Sequence, residues 1–97
     1  MKIVINQCFG GFGLSPKGMK RYFELKGIPE SDEFSCYNIL RNDPYLVQVV
    51  EEMGKKASGR YAELEVFEIP DDVIWEIETY DGIEWICERH RTWGKII

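Results

Sequence analysis

The first 27 residues, MKIVINQCFGGFGLSPKGMKRYFELKG, constrain the fold more than any other stretch. Lys2, Ile3, Val4, Ile5 and Asn6 form a β-branched apolar run bounded by polar residues, which predicts a short buried strand. Gly10, Gly11 and Gly13 around Phe12 then break the pattern. Glycine reaches backbone angles closed to other residues and lets a second backbone or a ligand come close. Ser15-Pro16 predicts a helix start, with an oxygen for the cap followed by a ring that presets φ where no amide bond is lost. Met19, Tyr22 and Phe23 share one apolar helical face, and Gly27 is placed to end the helix.

A helix N-terminus reached through such a turn favours an anion, because free amides and the helix dipole converge there. Lys17 and Lys20 add positive charge nearby. No complete phosphate motif is met, however. Gly11 to Pro16 lacks the third glycine of GxGxxG, and Gly13 to Gly18 has the P-loop gap but continues with Met19 and Lys20. The competing reading is a tight strand-to-helix turn with Phe12 plugging the core.

Residues 28–40 read as a connecting loop, with a short extended piece from Phe34 to Leu40. Asp43-Pro44 opens a second helix, whose Leu46, Val47, Val50, Met53 and Ala57 recur every three or four residues. Gly54 marks a close crossing or a weak point in it, and Ser58-Gly59 closes it. Ala62 to Ile69 and Val73 to Tyr80 each alternate, which predicts that 62–69 and 73–80 pair as a hairpin across Pro70-Asp71-Asp72. Asp81-Gly82 is a further turn signal. Residues 83–93 fit either a returning strand or a terminal helix; Glu84 early and Arg89 and Arg91 late favour the helix.

The expected fold is therefore α/β (α+β), one small domain over residues 1–97, in the order β-α-α-β-β-α. A three- to four-stranded sheet carries packed helices, and the first strand is central because Ile3-Val4-Ile5 is apolar on both faces. A length of 97 residues and a 44% apolar content suit one folded domain. No run approaches the roughly 20 apolar residues of a membrane span, and the start lacks a signal-peptide layout. Cys8, Cys36 and Cys87 show no CxxC spacing and fit free thiols in a reducing compartment.

Charge is segregated. Residues 61–88 hold ten acids and no lysine or arginine, while residues 1–27 carry five bases against Glu24 alone. A net charge of −5 argues against general nucleic-acid binding. The acidic stretch is either a solvated face that protects a sheet edge or a surface for a basic partner. Paired carboxylates among Asp71, Asp72, Glu76 and Glu78 lack a neighbouring nucleophile or metal ligand in the sequence. His90, the one histidine, cannot build a metal site alone, yet Arg89, His90, Arg91 and Trp93 gather phosphate donors beside a stacking ring.

The strings MKIVINxCFGGFGLS and EIPDDVxWEIExYDGxEWxxExHRTW resemble a widespread family of small phage-encoded proteins with no assigned activity. The likeness covers both ends and the Asp43-Pro44 helix. The chain departs from that pattern in its short middle, residues 28–42, and at Ile74, where a charged residue is common. The resemblance implies phage origin and the host bacterial cytoplasm as location, and supplies no catalytic residue.

Small accessory phage proteins often counter host defence, which frames three expectations. The first is an anti-defence sponge that sequesters a phosphate-containing nucleotide signal, of ADP-ribose or cyclic nucleotide type, without catalysis. Its ligand-binding set is Asn6, Cys8, Gly10, Gly11, Phe12, Gly13, Ser15, Arg89, His90, Arg91 and Trp93, with Gly11, Ser15, Arg91 and Trp93 meeting at one cavity. The second is a protein inhibitor that engages a host defence protein through the acidic hairpin. The third is a small nucleotide hydrolase, for which Cys8 and His90 are the candidate pair. No cofactor, metal or membrane partner is expected, and homo-oligomerisation is left open.

Overall fold

A computed structural model describes residues 1–30 and 35–88. They form a small α+β fold of two helices and two two-stranded antiparallel sheets. The order is β1 (Lys2–Asn6), α1 (Pro16–Lys26), α2 (Pro44–Met53), β2 (Leu64–Glu68), β3 (Trp75–Tyr80) and β4 (Ile83–Glu88).

Both helix starts form as their sequences dictate. Ser15 accepts a bond from the Gly18 amide and Asp43 one from the Tyr45 amide, each followed by proline in the first turn. Gly27, at φ 72°, ends α1 with its own amide and that of Ile28 turned back onto Phe23. This is the left-handed close for which glycine lacks the usual steric cost. Helix α2 ends four residues sooner than its apolar spacing predicts, because Gly54 takes φ 58° and the chain tightens into a 3-10 turn over Gly54–Ala57. Residues 35–40 likewise hold a 3-10 turn, Cys36–Asn38, capped by Ser35, rather than an extended piece; Phe34 lies outside the described residues.

The core joins Tyr22 and Phe23 of α1, Leu46, Val47, Val49 and Val50 of α2, Val4 of β1 and Leu64 of β2, with Phe12 and Ile39 from loops. Burying an aliphatic or aromatic side chain of this size contributes roughly 1.5–3 kcal/mol. Ile3 and Ile5, on the opposite face of β1 from Val4, are as deeply buried. Arg21 to Glu52 and the chain Lys26–Tyr22–Asp43 tie the two helices together at their surface.

The sheet differs from the expectation in three respects. Among the described residues strand β1 pairs with β2 only, from Lys2 opposite Glu68 to Asn6 opposite Leu64. Its second edge is occupied by other groups: the Val4 amide donates to the Arg41 carbonyl at 2.8 Å, and the Asn6 amide donates to the Glu84 carboxylate at 2.8 Å. With those donors used, no further strand joins there among the described residues, and β1 stands in a two-stranded sheet rather than at the centre of a larger one.

The expected 62–69/73–80 hairpin does not form, since the end of β2 is held to the chain start through Met1 and Ile69. Strand β3 pairs instead with β4, from Trp75 opposite Glu88 to Tyr80 opposite Ile83. Asp81 at φ 53° and Gly82 at φ 95° make the primed two-residue turn that returns a strand directly. Residues 83–88 are therefore strand and not helix; the rest of that expected helix, 89–93, lies outside the described residues.

Candidate functional site

The glycine loop between β1 and α1 is clasped by two other turns. A Cβ on Gly10 would overlap the Tyr61 carbonyl, so glycine here permits an approach by the protein's own backbone. A Cβ on Gly82 would strike the Phe9 carbonyl and the Gly11 amide, which seats the β3–β4 turn on the loop. Gly59 donates to the Gly13 carbonyl at 2.8 Å, and Ser15 donates from its amide to Ala57 and from its hydroxyl to the Lys56 carbonyl. The start of α1 thus faces carbonyls at the end of the 3-10 turn, whose partial negative charge complements the helix dipole.

Beneath the loop lies a polar knot. Asn6 is fully buried and satisfied: its side-chain amide donates to the carbonyls of Cys8 and Gly82, and its side-chain oxygen accepts from the Glu63 amide at 2.7 Å. Glu84 is 7% exposed and meets Arg41 through two bonds, 2.5 and 2.8 Å. The Arg41 guanidinium stacks on Phe12, 3.7 Å from the ring centroid. Three segments distant in sequence are fixed around the loop base in this way.

Above the loop the surface opens. A cleft of about 460 Å³ is lined by Cys8 and Gly10 on one side and by Lys55, Ser58 and Arg60 to Glu63 on the other. That volume is within the range of small-molecule sites. A smaller hollow of about 150 Å³ is bounded by Gly10 to Gly13, Tyr37 and Gly59 to Ala62. Among the described residues neither Lys55 nor Arg60 is ion-paired with a carboxylate; the Arg60 guanidinium lies 5.4 Å from the Tyr61 ring. Tyr37, Tyr61 and Phe9 are 74%, 67% and 65% exposed, an unusual outlay of aromatic surface around one loop.

The sequence-predicted residues divide accordingly. Cys8 and Gly10 line the cleft, while Gly11, Phe12 and Gly13 border the smaller hollow. Asn6 serves the buried knot, and Ser15 is engaged as the α1 cap. Arg89, His90, Arg91 and Trp93, and with them the Cys8–His90 pair and the shared cavity of the two chain ends, lie outside the described residues. Sequence reasoning gave no site role to Arg41, Glu84, Lys55, Arg60, Tyr61 or Tyr37. A signal existed for part of this set: KKASGRY places three bases, a glycine and an aromatic between a helix and a strand.

On the β3–β4 hairpin, Glu78 accepts from the Trp85 indole at 3.2 Å, and Glu76 is exposed beside it. Burial and the nearby Glu78 push the Cys87 thiol up from its ordinary pKa. Among the described residues no cluster of three histidine, cysteine or acidic side chains could hold a metal, and no helix is long and apolar enough to cross a membrane. No family model, curated protein or solved structure matches the chain.

Proposed function

We propose that the protein binds a small phosphate-containing nucleotide in the cleft between the glycine loop and residues 55–63, and holds it without turnover. The observation that carries this is the pair Lys55 and Arg60 lining one cleft, with no carboxylate partner among the described residues, in a chain of net charge −5. Both side chains are exposed, and beside the single lining carboxylate, Glu63, they leave the cleft open to an anion from outside. Arginine suits a phosphate fork and lysine a point contact. Tyr61 offers a stacking face beside them, and Glu63 can accept from a ribose hydroxyl. With the resemblance to small phage proteins, the reading is an accessory protein that sequesters a nucleotide immune signal in the host bacterial cytoplasm.

Calorimetry of the full chain against a panel of mono-, di- and cyclic nucleotides tests it. Binding by at least one member is expected, with the ligand recovered unchanged by chromatography. Arg60→Ala and Lys55→Ala should each weaken binding by about tenfold, near 1.4 kcal/mol, without moving the thermal midpoint. Absence of heat with every nucleotide rejects the proposal.

A second reading rests on Glu76 and Glu78, exposed on one face of β3. There the protein would block a basic surface of a host defence protein. Reversing both glutamates to lysine should abolish capture of that partner; capture that survives the reversal removes this reading.

A further inference from the structure

Resting on the nucleotide-binding reading, we infer that the ligand carries two base rings bridged by phosphate, one ring on each side of the wall that the two hollows share. Gly10 and the Arg60–Ala62 stretch line both hollows, so one bound molecule can straddle them. The two sides differ in chemistry. The larger holds Lys55, Ser58 and Glu63, groups that meet phosphate and sugar, with the Tyr61 ring as the stacking face for the first base. The smaller, at about 150 Å³, has room for little more than one planar ring system, and its distinctive side chain is Tyr37.

Two further observations fit a ring there. Tyr37 and Tyr61 expose most of their surface, and both border this hollow. Aromatic faces left in water are costly in hydrophobic terms but serve as stacking platforms for bases. On the loop rim Gly11 and Gly13 are half-buried and carry no side chain, and a Cβ built on either meets nothing within 4 Å. A flat ring can therefore approach the peptide planes themselves. Arg60, common to both hollows, stands where the bridging phosphate of such a ligand would pass.

The experiment uses calorimetry on the full chain with inorganic phosphate, AMP, the linear dinucleotide pApA and cyclic di-AMP. At least one of the two-base ligands should bind one per chain and at least about tenfold more tightly than AMP, with phosphate weakest. Tyr37→Ala should bring the two-base ligand down to the affinity of AMP while leaving AMP unchanged, and Tyr37→Phe should restore it. An unaltered thermal midpoint confirms that each variant is folded, as a side chain this exposed allows. If AMP binds as tightly as both two-base ligands, or if Tyr37→Ala weakens AMP and the two-base ligand equally, the inference is overturned and the single-nucleotide reading stands. If no probe binds, both fall together.

Discussion

Arg41 grips Glu84 with both prongs of its guanidinium, Nη1 2.5 Å from Oε1 and Nη2 2.8 Å from Oε2. The same arginine gives its backbone carbonyl to the Val4 amide, and the same glutamate accepts from the Asn6 amide. One ion pair therefore closes the free edge of β1 and fastens the β3–β4 hairpin to it. Glu84 stands in the string YDGxEW, but nothing beside it in the sequence points to Arg41, which lies 43 residues away.

Breaking this pair by halves should be costly. Arg41→Ala leaves Glu84 charged in a largely buried place and uncovers one face of Phe12, so a loss of about 3 kcal/mol is expected. Replacing both members together, as Arg41→Met with Glu84→Gln, should recover part of that loss, because no orphaned charge remains and the glutamine oxygen still accepts from the buried Asn6 amide. Urea midpoints for the two variants measure the difference. A single variant within about 0.5 kcal/mol of the native protein would contradict the clamp.

Three neighbouring glycines should respond differently to the same added methyl group. Gly10→Ala forces a carbon into the Tyr61 carbonyl and should cost about 3 kcal/mol or more. Gly11→Ala meets nothing but must hold φ 90°, a strain of about 1–2 kcal/mol. Gly13→Ala has open space and no positive φ, so it should be neutral or stabilising by about 0.4–1 kcal/mol. Thermal unfolding of the three single variants gives the ranking, and a uniform response would show that the loop is not clasped as described.

Acid should loosen the contact between the helices. Burial alone would raise the Asp43 carboxyl; bonds from the Tyr22 hydroxyl and the Tyr45 amide, with Lys26 nearby, outweigh it and hold the group below the usual carboxylate range. Glu52 is drawn from 4.5 to about 2, first by Arg21 and then by Gln48. For both groups the folded form binds its proton less tightly than the unfolded chain. Their contribution is therefore full above the ordinary carboxylate pKa and is lost as pH falls through the folded value. Urea midpoints should fall between about pH 4.5 and pH 2, and the fall should be shallower in Asp43→Asn, which keeps the helix cap.

Local chemistry made the helices legible. Ser15-Pro16 and Asp43-Pro44 act within four residues, and no distant partner is needed for a side-chain oxygen to reach an amide in its own first turn. The left-handed close at Gly27 is equally local. Strand pairing was not legible in the same way. Residues 62–69 and 73–80 alternate as strands should, but alternation fixes which face is buried and leaves the partner open. The primed turn at Asp81-Gly82 was the stronger cue for β3, because two positive φ angles in succession commit the chain to return beside itself.

The candidate site divides along the same line. Its glycines and Cys8 stand out in the sequence because turns are local events. Lys55, Arg60 and Tyr61 reach the cleft, and Tyr37 the smaller hollow, from two other segments, only after Gly10 meets Tyr61 and Gly59 meets Gly13. By itself the sequence determined the strand, the two capped helices, the turn signals and the segregation of charge, each a matter of neighbouring residues. Tertiary structure alone decided that β1, among the described residues, stops at two strands, that Arg41 and Glu84 pair, and that two cations and two tyrosines flank one loop. Those outcomes depend on which buried donors find acceptors from far along the chain, a competition that no short window of sequence contains.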